Sequence, residues 1–184
     1  MSDRAEAVVA EVGNDLIAVR PRPTAWSVAE CLIHLKLSAD AYLPIWRNAC
    51  READAMRVVA KTPFKLDLWG RFFVWFLEPP PKLRFSAPRR FRPVATGPPG
   101  QVLSTFLASQ DGVLEVIREA DGLPLDRITI ASAFDDRVRY SIWSSFCANA
   151  AHHRRHLWQA ERVAGALHKQ NSVTFTTGSQ RDTS

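Results

Sequence analysis

The sequence predicts an all-α protein: a four-helix bundle with a short extra helix and a long proline- and arginine-rich crossover loop. Three observations lead there. Apolar residues recur at helical spacing in four long stretches, the strand signal between them is slight, and one proline-crowded segment divides the chain. Long amphipathic helices bury their stripes against one another, and a bundle is how they do so.

The elements follow in order. Residues 2–20 carry Val8, Val9, Val12, Leu16 and Val19 at helical spacing, with Gly13 as a weak point. Pro21-Arg22-Pro23 ends this first helix, because proline cannot continue one and biases the preceding residue away from it. Ser27 followed by Glu30 is a capping box that starts the second helix. Val28, Cys31, Leu32 and Leu35 form its buried stripe, and it is expected to run to about residue 60 with a kink at Pro44. Residues 64–77 contain six aromatic residues (Phe64, Trp69, Phe72, Phe73, Trp75 and Phe76). A short, mostly buried helix interrupted near Gly70 is expected there, with a dimer contact as the alternative for so large an aromatic patch.

Residues 79–100 hold seven of the twelve prolines together with Lys82, Arg84, Arg89, Arg90 and Arg92, and no acid. They read as an irregular crossover loop, of a length uncommon without a function. Phe85 and Phe91 between arginines would suit single-stranded nucleic acid. Prolines and phenylalanines pinning a crossover explain the same pattern, so nucleic acid is the disfavoured partner. A third long helix covers 101–120 (Val102, Leu103, Phe106, Leu107, Val113, Leu114, Ile117) and stops at Asp121-Gly122-Leu123-Pro124. A connection to about 139, with an extended piece at 127–131, leads to the fourth long helix over 140–168. Residues 1–168 are expected to form a single domain, and the polar residues 169–184 a disordered tail.

At 184 residues, 46% apolar and 23% charged, the chain can build one proper core. Its net charge of +5 permits an acidic partner without requiring one. Cys31, Cys50 and Cys147 include no C-x-x-C pair, which speaks for reduced thiols in the cytoplasm and against a disulfide framework. Asp3, Glu6, Glu11 and Asp15 are foreign to a signal peptide. The longest apolar run, residues 72–77, is far too short to span a bilayer, and no membrane partner is expected.

Chemistry concentrates in the fourth helix. His152 and His156 are four residues apart, so a helix stacks them on one face, where two imidazoles can reach one metal ion. A basic helix surface is the competing reading. The third ligand has to come from elsewhere, and His34, on or beside the stripe of the second helix, can meet the pair at one end of a bundle. Alone, His34 would read as a core histidine satisfied by a hydrogen bond. By helical phase His153 follows the core stripe of Ile142, Phe146, Ala150, Leu157 and Ala164, while His152 follows Ser145, Ala148, Asn149, His156 and Gln159. Room and polarity favour His152 with His156; His153 with His156 is the alternative.

Two stretches then carry a resemblance. W-S-V-A-E-x-x-x-H-L at residues 26–35 and H-x-R-R-H-L-x-Q at residues 152–159, about 120 residues apart, resemble the paired motifs of the DinB/YfiT-like superfamily of bacterial metal-dependent proteins. The resemblance covers residues 1–168. It implies an up-down-down-up four-helix bundle, a divalent ion of the zinc or nickel type on His34, His152 and His156, frequent homodimers, and relatives that transfer low-molecular-weight thiols such as bacillithiol or mycothiol.

Three neutral imidazoles leave a divalent ion its full charge and an open position, which can activate a water for hydrolysis or a thiol for transfer to an electrophile. Glu161 falls on another face and Glu30 is engaged by the cap, so the absence of a carboxylate base favours the thiol. Arg154 and Arg155 read first as solvated surface charges, second as a lure for an anionic cosubstrate. Cys31 and Cys147 read as small buried residues. The leading function is therefore a metal-dependent small-molecule enzyme, a thiol transferase or hydrolase. The alternative is a non-catalytic binding or dimerisation module in which the ion only staples two helices.

Overall fold

The computed structural model of the chain describes residues 1–83, 86–94 and 98–178, with side chains to residue 170. Among these residues are five α-helices: α1 (Ser2–Val12), α2 (Val28–Ala55), α3 (Leu68–Leu77), α4 (Pro99–Glu119) and α5 (Ile142–Gly178). A short antiparallel pair, β1 (Thr129–Ala131) with β2 (Arg139–Ser141), sets Ile130 opposite Tyr140. The protein is an all-α bundle in which α2 packs on α4 and α5, α1 lies against α4 and α5, and α3 sits outside, on α5 and β2.

Local chemistry sets the helix ends. Gly13 takes φ +75° and its N–H closes on the Val9 carbonyl at 2.9 Å, so α1 stops at Val12 and does not reach residue 20. The chain turns there, and Ile17, outside the expected stripe, becomes fully buried. The capping box of α2 is complete: Ser27 Oγ accepts from the Glu30 N–H at 3.2 Å and the Glu30 carboxylate accepts from the Ser27 N–H at 2.9 Å. α2 continues through Pro44 and ends at Ala55, short of residue 60. At the other end of the chain α5 stays helical to Gly178, where a disordered tail from 169 was expected; residues 179–184 of that tail lie outside the described residues.

Among its described residues the proline-rich segment includes a 3-10 turn, Arg89–Phe91, that buries Phe91. Arg84 and Phe85, which entered the nucleic-acid reading, lie outside the described residues.

The aromatic stretch departs most from expectation. α3 is uninterrupted at Gly70, and the glycine serves close packing: a Cβ there would lie 2.3 Å from Ser144 Oγ and 2.4 Å from Ser144 Cβ. Asp67 locks the same junction. Its carboxylate accepts from the Gly70 N–H at 2.8 Å and the Ser141 N–H at 2.6 Å, while its own N–H donates to Ser144 Oγ at 3.1 Å. Nor is the segment mostly buried. Only one face of α3 meets α5, so Leu68, Trp69, Phe72 and Trp75 remain exposed.

Gly70→Ala is expected to destabilise the protein by about 1–3 kcal/mol, since overpacking against a fully buried Ser144 outweighs the helix propensity gained. Urea unfolding reads this directly, and an unchanged midpoint would refute the close approach.

Two apolar clusters make up the core. One joins α1, Ile17, the start of α2, Phe106 and the stretch of α5 from Leu157 to Leu167. The other joins the second half of α2, Phe91, Val113, Val116, the β1–β2 pair and Ile142. Between Leu35 and Ala39 on α2, and between Ile142 and Leu157 on α5, the chain changes from one cluster to the other. No helix among the described residues is long and apolar enough to cross a membrane.

Candidate metal centre

Three histidines converge close to where the core changes from one cluster to the other. α2 brings His34 there and α5 brings His152 and His156, and one ligand atom from each lies within 4.8 Å of the others. His34 and His152 are buried and His156 is half-buried. The Nε2 atoms of His34 and His152 are 3.1 Å apart. Two imidazole nitrogens on one tetrahedral zinc, each about 2.0–2.1 Å from the ion, would be separated by about 3.3–3.4 Å. The spacing therefore fits a shared ion with little adjustment.

The outer nitrogens agree with this. A carbonyl oxygen only accepts, so His34 Nδ1, 2.7 Å from the Phe91 carbonyl, carries the proton and leaves Nε2 a free lone pair. His156 Nδ1 is 3.1 Å from Gln159 Oε1, which fixes the same tautomer. Donation of the far ring N–H to an oxygen acceptor is the usual support of a metal-ligating histidine. His152 Nδ1 has no hydrogen-bond partner among the described residues. Without an ion its Nε2–H can donate to the His34 Nε2 lone pair, which leaves Nδ1 as the unsatisfied nitrogen of that ring.

Burial holds all three imidazoles below the ordinary histidine range, most strongly His152 and His156, where neighbouring rings and the Arg155 guanidinium add to it. The Phe91 carbonyl and Gln159 pull the other way on His34 and His156. The rings are accordingly neutral at pH 7, the state that binds metal.

His153 is equally buried but faces elsewhere. Its ring packs edge-on to Phe106 of α4, 6.4 Å between centroids, and its Nε2 is also unpartnered. Both helical stripes of α5 thus point inward, to different neighbours. Among the described residues the cluster with metal-ligand spacing contains His34, His152 and His156, and His153 is outside it.

Aromatic side chains wall the three rings. Trp26, just before the cap of α2, stacks on His156 at 5.6 Å and leans on His34 at 4.9 Å. Phe134, from the β1–β2 connection, lies 6.4 Å from His34 and 5.5 Å from His152. Neither Phe134 nor the Phe91 carbonyl was foreseen from sequence. A backbone oxygen has no residue signature, and Phe134 lies in a connection with no periodicity.

The nearby charges are all engaged. Glu30 is held by its cap and by Arg20, whose Nε donates at 2.8 Å. Glu161 pairs with Arg4 at 2.8 Å. The expectation of solvated arginines is corrected: Arg154 pairs with Glu78 at 2.6 Å, and Arg155 is buried, donating to the carbonyls of Phe76 and Leu83 at 3.1 and 2.8 Å. Both tie the far end of α3 to α5. Cys31 is buried and Cys147 half-buried, and burial pushes both thiols up, away from thiolate.

Gln159→Leu removes the acceptor of His156 while keeping the ligand, and is expected to weaken metal binding about 10–100-fold. Competition against a chromogenic chelator measures it; unchanged affinity would mean that Gln159 only caps an idle ring.

A family model for the DinB superfamily matches residues 1–160 of the chain. No curated protein and no solved structure matches it.

Proposed function

Taking as premise that the chain belongs to the DinB superfamily, we propose that His34, His152 and His156 hold one divalent ion, zinc or nickel, in a small-molecule enzyme of the thiol S-transferase type. One observation carries the reading: three imidazoles converge, two of them buried and one half-buried, and two have the outer nitrogen fixed by an oxygen acceptor. A bound divalent ion would supply Lewis-acid activation, lowering the pKa of a thiol or a water toward neutrality.

The chain's own residues favour the thiol. His34, His152 and His156 contribute no negative charge, so none of the ion's charge is cancelled. Glu30 and Glu161 are committed to Arg20 and Arg4 and take no part as general base. Hydrolysis has to manage the protons of a water. Transfer of R–SH to an electrophile R′–X gives R–S–R′ and HX, and only the thiol proton has to leave. Trp26 and Phe134 keep bulk water from two sides of the rings.

A second reading has its own support. The same walls, with two of the three rings buried, also describe a closed structural site that staples α2 to α5 without turnover. Elemental analysis of untagged protein, followed by a screen of low-molecular-weight thiols against electrophiles, tests both. Near-stoichiometric metal with metal-dependent thioether formation is expected. Protein that stays metal-free after incubation with zinc and nickel sinks the proposal. Metal without any turnover, whose removal unfolds the chain, leaves the staple.

A further inference from the structure

The outer face of α3 is apolar where a bundle's outer face is ordinarily polar. Leu68 is 81% exposed, Trp75 54%, Trp69 44% and Phe72 43%, and together they make one apolar stripe in which Phe72 touches both tryptophan rings. Its surroundings are cationic. Between residues 61 and 94 the chain has Asp67 and Glu78 as its only acids, against eight lysines and arginines. Neither acid offsets this: Asp67 turns inward and accepts from the backbone of Gly70 and Ser141, and Glu78, although partly exposed, is neutralised by its pair with Arg154. Lys65 and Arg71 are exposed beside the stripe, and Lys82 stands over the Trp75 ring at 5.5 Å.

We infer that this face docks on an anionic lipid bilayer, α3 lying in the plane of the interface. Tryptophan and phenylalanine favour the headgroup boundary, and flanking lysines and arginines meet anionic headgroups there. Charge complementarity selects the occupant. A second copy seated on the same face across a two-fold axis would set a net positive rim, with Lys65, Arg71 and Lys82 exposed, against itself, whereas an anionic surface neutralises it. The inference concerns contact with the bilayer surface and therefore revises the expectation of no membrane partner, which rested on the lack of a spanning segment. It places the centre on an element anchored at the lipid surface, because Arg154 and Arg155 tie α3 to the helix that carries His152 and His156.

The test is sedimentation of the full chain with vesicles of phosphatidylcholine alone and of a phosphatidylcholine–phosphatidylglycerol mixture, at physiological salt. Wild type is expected to bind the mixture at least about tenfold better than the neutral vesicles. Trp69→Ser/Trp75→Ser and, separately, Lys65→Gln/Arg71→Gln/Lys82→Gln are each expected to lower binding about tenfold or more. All the replaced side chains are exposed, and far-UV circular dichroism checks that both variants fold. No binding of wild type to the mixture, or equal binding to neutral vesicles, overturns the inference. So does a dimer in solution that the tryptophan pair dissolves, which would assign the face to a second copy. Binding to a single-stranded oligonucleotide at physiological salt that outcompetes the vesicles assigns it to nucleic acid and equally overturns it.

Discussion

His152→Ala is expected to abolish tight metal binding, with His153→Ala, its immediate neighbour, leaving it intact. The rings are adjacent in sequence and both buried, but only His152 approaches His34, Nε2 to Nε2 at 3.1 Å, while His153 packs on Phe106. Loss of one of three ligands should cost more than the about 10–100-fold typical of losing an outer partner, and His34→Ala and His156→Ala should behave like His152→Ala. Stability distinguishes the neighbours in the other direction. His153→Ala leaves a cavity beside Phe106 and is expected to cost about 2–5 kcal/mol, as large-to-small core changes do. Metal content by mass spectrometry and unfolding midpoints, measured on the same preparations, separate the two effects. Metal lost from His153→Ala and kept by His152→Ala would show that the ion sits on the other face of α5.

The metal-free protein is expected to be acid-labile from about pH 6.5 downward. Burial lowers the folded-state pKa of His34, His152 and His156, and pushes His153 down to about 4. For a base with a depressed folded pKa, the unfolded chain binds the proton first. Stability is thus complete above the unfolded value near 6.5 and declines as pH falls toward the folded values. Each histidine contributes a slope of about 1.4 kcal/mol per pH unit in that window. Several rings acting together would consume a domain's usual 5–15 kcal/mol within a few units. Loading with zinc should shift the transition to lower pH, because ion and protons compete for the same lone pairs. Urea midpoints of metal-free protein that are equal at pH 7.5 and pH 5 would contradict the burial of neutral rings.

What could be read from sequence was what neighbouring residues decide among themselves. The capping box of Ser27 and Glu30 needs three residues and a helix start, and it stands as expected. The inward stacking of His152 and His156 follows from helical periodicity. The end of α1 is legible in Gly13, although the apolar spacing of Leu16 and Val19 continues past it. The rest depends on contacts between distant segments. Whether α3 is covered on one face or two is decided by what packs on it, so aromatic density alone could not foretell its exposed stripe. The support of His34 comes from a carbonyl 57 residues away, on a segment whose sequence reads only as proline and arginine.

The division of the core into two apolar clusters bears on cooperativity. Buried polar side chains, Ser38, Ser109, Gln110 and His152 among them, lie between the two apolar clusters, and in metal-free protein that layer is the natural plane of partial opening. Native-state hydrogen exchange should then resolve two foldons, one built on α1 and the C-terminal half of α5, the other on the β1–β2 pair and the second half of α2. An ion bound to His34, His152 and His156 would bridge that plane and merge them into a single exchanging unit. The centre would then determine whether the molecule unfolds in one step or in two.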